Sequence, residues 1–356
     1  MDKNALIKIL EAAVLAPSGE NCQPWRFVFR DGTLRQYNIP ERDQSPYNFR
    51  QYGSLVSHGA VIENIGIAAA VMGYRISLRL FPSGDADCVA SMTFEKDARF
   101  VADDELYKSI FTRSSNRTKY DPNHFLTSEE KDILAAAAQA YADYGRFVLI
   151  EEKKSMHDIA EALSYGDELL FVNRNVHDFL FSHIYWTLDS ATTHNSGFYV
   201  KELALAAPQE FAFRMLRREW IRRFLEWIGL PKIAARENIT LYENSSAHGA
   251  IVIPTAKPEQ YVRAGQLLQR IWLTANRLGY DMQLITAIPF FMQRIAGGEA
   301  QEFSEMQQKR IRASYEILLR EFDAGTGIIP IVFRIGKGMP LPHHSFRMPP
   351  ELVYQE

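Results

Sequence analysis

Residues 59–74 read GAVIENIGIAAAVMGY and residues 265–280 read GQLLQRIWLTANRLGY. The pattern Gly59-x13-Gly73-Tyr74 thus recurs as Gly265-x13-Gly279-Tyr280 at an offset of 206 residues. Inside the frame Ile65 matches Ile271 and Ala69 matches Ala275, while Val61, Ile62, Ile67 and Met72 face Leu267, Leu268, Leu273 and Leu278. The first copy is nearly all apolar, which predicts a helix buried on most sides. Small residues at fixed helical positions let two helices approach closely, so the pair is expected across a pseudo-twofold core. The offset is far longer than a solenoid period. The chain carries one duplicated unit, not an array.

Working outward, Leu6, Ile9, Leu10, Ala13 and Val14 form the stripe of a core-facing N-terminal helix, and its charged residues argue against a signal peptide. Strands are predicted over 26–29, 34–39, 76–81, 89–94, 146–151, 248–254 and 328–335. Helices are predicted over 128–144 and from Met156 towards Phe181. Residues 165–245 have no counterpart in the first half and read as an aromatic-rich helical insertion. Within it Phe213, Leu216, Trp220, Phe224 and Trp227 make one helical stripe, with Arg214, Arg217, Arg218, Arg222 and Arg223 around the rest. That pattern reads either as a solvated basic face over a core stripe or as a lid.

The 356 residues carry 40 basic and 43 acidic side chains, a net charge of −3 that gives no footprint for a nucleic-acid binder. Two cysteines cannot build a disulfide framework and fit a reducing compartment. No uninterrupted apolar run reaches the ~20 residues of a membrane span, so a soluble, cytoplasmic protein is expected. Phosphate-loop, dinucleotide-glycine, CxxC, HExxH and GxSxG patterns are all absent. No metal site is expected, and His343-His344 reads as part of a solvated tail.

Two segments carry chemistry. In Ala16-Pro17-Ser18-Gly19-Glu20-Asn21-Cys22-Gln23-Pro24-Trp25 a proline ends the helix, and a small-residue turn offers backbone N–H groups and side-chain amides. A planar heterocycle with an N–H/C=O edge needs such groups; an ordinary helix–turn–strand corner would look the same. In Arg113-Ser114-Ser115-Asn116-Arg117 two arginines flank hydroxyls, which suits a phosphate and equally a solvated basic turn.

Together these segments resemble the nitroreductase-like flavoproteins, in which an R-x-S-x-R element holds the FMN phosphate and ribityl chain and an A-P-S-x-x-N-x-Q-P-W stretch lies at the flavin. The resemblance rests on Arg113, Ser115 and Arg117, on Pro17, Ser18, Asn21, Gln23, Pro24 and Trp25, on the first repeat helix, and on the Arg334–Gly338 and Ser345–Arg347 segments. It implies an α+β fold with a central, mostly antiparallel sheet flanked by helices. It also implies FMN contacts from Pro17, Ser18, Gly19, Asn21 and Gln23, from Arg113, Ser114, Ser115 and Arg117, from a loop holding Leu284, Ile285 and Thr286, and from Arg347. Hydride would pass from NADH or NADPH through the flavin to a small acceptor such as a nitroaromatic or quinone, with no side chain acting as a nucleophile.

The order of the elements departs from the usual one. R-x-S-x-R follows Ser18 by some 95 residues instead of preceding it. The second half lacks Q-P-W and the first lacks R-x-S-x-R. The chain resembles the long, internally duplicated branch, with halves 1–111 and 112–356 sharing one core and imitating a dimer, as a pseudo-dimeric monomer or a homodimer. Such losses leave one complete FMN site per chain. The alternative is a flavin-binding or flavin-storage protein in which the 165–245 insertion covers the flavin and suppresses turnover.

Overall fold

The computed structural model describes residues 1–97, 102–341 and 343–355. Helix α1 (Lys3–Ala13) starts where the Asp2 carboxylate accepts from the Ala5 amide, and it buries Leu6, Ile9, Leu10 and Ala13. A strained turn leads into the hairpin β1 (Trp25–Arg30) and β2 (Thr33–Asn38), then α2 (Tyr52–Val71), β3 (Tyr74–Leu80), β4 (Cys88–Lys96) and α3 (Asp104–Thr112). Next come α4 (Ser128–Gln139), started by a Thr127–Glu130 capping box, β5 (Arg146–Ile150) and α5 (Lys153–Val172). The aromatic-rich region continues as α6 (Arg174–Ser182), β6 (Ile184–Tyr185), α7 (Leu188–His194), β7 (Phe198–Tyr199), α8 (Ala207–Met215), α9 (Glu219–Trp227) and α10 (Leu230–Glu243). The chain then forms β8 (Ala247–Ile253), α11 (Pro258–Arg277), β9 (Asp281–Leu284), α12 (Ala287–Ala296), α13 (Glu305–Glu321), β10 (Ile328–Gly336) and β11 (Leu352–Tyr354).

The architecture is α+β with mostly antiparallel strands flanked by helices. The strands divide between two main sheets, ordered β11-β1-β2-β4-β3 and β5-β8-β10-β9. Only β11 crosses over: the tail pairs parallel to β1, with Phe27 opposite Leu352. The helix predicted from Met156 to Phe181 is broken at Asn173, whose side chain caps α6 by accepting from the Val176 amide.

The duplicated helices α2 and α11 cross at their glycines. A Cβ at Gly59 would stand 1.9 Å from the Val262 carbonyl oxygen, and one at Gly265 would stand 1.9 Å from the Val56 carbonyl oxygen. Val262 is the repeat equivalent of Val56, so the contact is reciprocal, as a self-complementary interface requires. The polar pairs obey the same exchange. Glu63 meets Arg270 at 2.5 Å, and the Asn64 carbonyl accepts from Gln269 at 2.8 Å. By length and composition 49–71 could cross a membrane, but α2 is buried almost throughout, within one apolar cluster that runs from Leu6 to Ile335.

Candidate functional site

The helix–turn–strand corner is built from backbone that side-chain-bearing residues rarely adopt. Glu20, Asn21 and Gln23 have φ of 42°, 54° and 50°. Such strain persists only where the surroundings over-determine it. Here Ser18 Oγ accepts from the Gln23 amide at 3.0 Å. The Asn21 side chain donates to the Phe346 carbonyl at 2.8 Å and accepts from Arg347 at 2.7 Å. Gln23 donates to the Asn195 carbonyl at 2.7 Å and accepts from the Met348 amide at 2.9 Å. The turn therefore holds both the C-terminal tail and the insertion.

A cavity of about 350 Å³ opens beside this turn, within the size range of small-molecule sites. Pro17, Ser18, Gly19 and Asn21 line it from the first half, and Arg113, Ser114, Ser115 and Arg117 from the second. Leu284, Ile285, Thr286 and Arg347 complete the set. Gln23 is buried but does not line the cavity; it acts on the segments that do. Leu284 ends strand β9, while Ile285 and Thr286 lead into α12, whose N-terminus opens on the cavity with no side-chain cap at Thr286. His344 stands on the cavity lining and His343 meets the Tyr199 ring edge-on at 5.2 Å, so this pair is engaged by the fold instead of lying in a free tail.

One wall is cationic. Arg113 ends α3, lies over the Trp272 ring at 4.4 Å and donates to the Leu15 carbonyl at 2.8 Å. Its Nε is buried without a partner, and so is the Nε of Arg347. Burial, then repulsion from Arg347, pushes the Arg113 pKa down to about 9. Burial brings Arg347 down to about 10, with Glu202 opposing. Two cations that repel each other thus stand together with unused donors. Arg117 rests on the Phe198 ring at 5.1 Å and is also lowered by burial. The 113–117 segment is held against β9, where the Asn116 amide donates to the Met282 carbonyl at 3.0 Å.

The lining also carries acids that sequence reasoning missed. Burial, then Asp43, raises Glu20 to about 8 against the pull of Arg117. Burial raises Asp167 to about 6 although Tyr242 donates to it at 2.8 Å. Asp43 is raised chiefly by burial. These groups come from separate segments with no shared spacing, so no motif announces them. Cys22 is buried with its thiol pKa pushed well up, foremost by burial, and is a packed thiol. Among the described residues no cluster of three metal-ligand side chains occurs.

The insertion meets the cavity through Asp167, Phe198 and Tyr242. The core-stripe reading holds in part, since Leu216 is buried and Arg214, Arg217, Arg218 and Arg223 are exposed, but α9 departs from it. Arg222 is buried and donates to the Phe171 carbonyl at 2.9 Å, while Trp220, Phe224 and Trp227 face solvent. The stripe is also broken between α8 and α9.

No family model matches the chain. An uncharacterised protein of Mycobacterium tuberculosis is 24% identical over 332 residues, 92% of this chain and 45% of that protein. The chain thus spans less than half the length of that curated relative. A probable NAD(P)H nitroreductase of Serratia sp., PigM, is 23% identical over 304 residues, covering 80% of this chain and 81% of that protein. Among solved structures, a putative nitroreductase from Anabaena variabilis aligns with a TM-score of 0.48 and 11% identity, over 94% of this chain and 88% of the other. Over 80% of its length the chain is thus similar in sequence to a probable NAD(P)H nitroreductase.

Proposed function

We propose that the cavity binds FMN and that the chain is an NAD(P)H-dependent flavin oxidoreductase acting on a small electron acceptor, such as a nitroaromatic or a quinone. The observation that carries this reading is the pair of buried, unpartnered Nε donors of Arg113 and Arg347 on one cavity wall. The residues present fit the cofactor: a dianionic phosphate answers two such cations, and the turn and the α12 N-terminus offer polar groups to a flat heterocycle. When bound, FMN supplies reversible hydride acceptance. Arg113, Arg347 and Ser115 would hold its phosphate. Pro17–Asn21 and Leu284–Thr286 would orient the ring. The positive end of α12 favours negative charge on a reduced ring. We place the halves at 1–111 and 112–356, with one complete site in each monomer. The sheet membership of β1–β4 against β5, β8, β9 and β10 supports that division.

The test is direct. Purified protein is expected to be yellow and to release FMN on denaturation, and anaerobic NADH or NADPH is expected to bleach it rapidly. A colourless preparation that FMN cannot restore would remove the reading. A second reading, flavin storage, is favoured by the clasp of the insertion over the turn through Gln23–Asn195 and by the Ser345–Glu202 hydrogen bond of 2.6 Å. FMN bound without bleaching by either nucleotide would select it.

Glu20 makes the binding pH-dependent. Its pKa of about 8 leaves it neutral below that pH and anionic above it. A new negative charge on the cavity wall opposes a phosphate dianion. FMN affinity is therefore expected to fall several-fold as pH rises through this value. Titrations of Glu20→Gln on either side should show a clearly smaller fall.

A further inference from the structure

Helix α9 shows solvent the side that a core-forming helix would hide. Trp220, Phe224 and Trp227, at i, i+4 and i+7, are 67%, 52% and 82% exposed. The Phe224 and Trp227 rings are 6.1 Å apart. Phe211 ahead of the helix, and Ile228 and Ile233 behind it, are exposed too. The opposite side is tied down: Ile221 and Arg222 are buried, and Arg222 pairs with Glu219 at 3.0 Å and Glu226 at 3.4 Å. Single exposed apolar residues need no explanation, but a cluster of aromatic rings on one helix marks a contact surface.

The charge around the rings says what the surface contacts. Residues 207–236 hold seven basic and three acidic side chains in a chain whose net charge is −3. All three acids are already paired: Glu210 with Lys201 and Arg214, Glu219 with Arg222 and Arg223, and Glu226 with Arg222. Arg217, Arg218, Lys232 and Arg236 are exposed and have no carboxylate partner among the described residues. A second copy of the chain would set these cations against one another. The rings stand exposed on one short helix, whereas a single nucleic-acid strand is tracked by a charged groove. Tryptophan and phenylalanine bordered by uncompensated arginine suit the headgroup–acyl boundary of an anionic bilayer.

We propose that α9, with the basic residues flanking it, docks the protein peripherally on an anionic membrane surface. The rings enter the interface and the arginines meet lipid phosphates, while the cavity stays within the fold.

The full chain is tested by co-sedimentation with vesicles of phosphatidylglycerol and phosphatidylcholine against vesicles of phosphatidylcholine alone. Binding is expected to be at least about tenfold greater on the anionic vesicles, with a blue shift of tryptophan fluorescence, and to weaken with salt. Trp220→Ser/Trp227→Ser should lose the shift and most of the binding. Arg218→Glu/Arg236→Glu should lose about tenfold of the binding to anionic vesicles. These residues are exposed, so both variants should melt like the parent. Equal sedimentation of parent and Trp220→Ser/Trp227→Ser would overturn the proposal. So would self-association through this face, or binding of a single-stranded oligonucleotide, without vesicle binding.

Discussion

Gly265→Ala is expected to destabilise the protein by ~3–5 kcal/mol, read as a fall in the urea midpoint. The added methyl would lie 1.9 Å from the Val56 carbonyl oxygen and 2.7 Å from its carbon. Both atoms are backbone, so no rotamer change relieves the clash. The two central helices would have to part, opening the apolar cluster on both sides, which puts the loss above the ~1–3 kcal/mol usual for overpacking. Gly59→Ala should behave alike, because its methyl would meet the Val262 carbonyl oxygen at 1.9 Å. Gly66→Ala on the same helix is the control. Its methyl would approach only Ile76 Cδ1, at 3.5 Å, so the gain in helix propensity should leave it neutral or more stable by ~0.5–1 kcal/mol. If Gly265→Ala unfolded no earlier than Gly66→Ala, the close crossing would be wrong.

Arg113→Met is expected to leave the empty protein nearly as stable as the parent while weakening FMN binding. Without an anion, Arg113 is a buried cation with an unpartnered Nε, facing the repulsion of Arg347. Replacing it with an apolar side chain of similar reach removes that cost together with the hydrogen bond to the Leu15 carbonyl, and the two offset, so the apoprotein should melt close to the parent. Binding should suffer. Losing a charge-assisted contact to phosphate costs ~1.5–3 kcal/mol, roughly 10- to 150-fold in FMN affinity. Fluorescence titration of FMN and thermal melts of the apoprotein measure the two effects separately. A lower melting temperature with unchanged FMN affinity would make Arg113 a structural residue and place the phosphate elsewhere.

Much of the fold was legible because its signals are local. The α1 stripe and the strands on either side of Gly32 each lie within a few residues, and the repeat announces α2 and α11. Strand β11 was not legible: three residues carry no period, and its partner β1 lies at the other end of the chain. The cationic wall could be anticipated from Arg113 and Arg117, whereas Glu20, Asp43 and Asp167 meet only in three dimensions. The sidedness of α9 failed for a different reason. Amphipathic spacing shows that a helix has two faces, but it does not say which one meets the protein.

The reciprocal glycine crossing bears on how the cavity responds to dilution. Where two separate subunits build a pocket from both sides, the pocket fades as subunits dissociate, and its apparent affinity follows protein concentration. Here the two faces of the joint belong to one polypeptide, so they meet at the effective concentration set by the chain between them. The anion site should therefore be as complete at nanomolar as at millimolar protein. The covalent joint also frees each face from copying the other. A change at Gly59 is not repeated at Gly265, which is how one face could keep the Pro17–Asn21 turn and the other R-x-S-x-R around a single cavity.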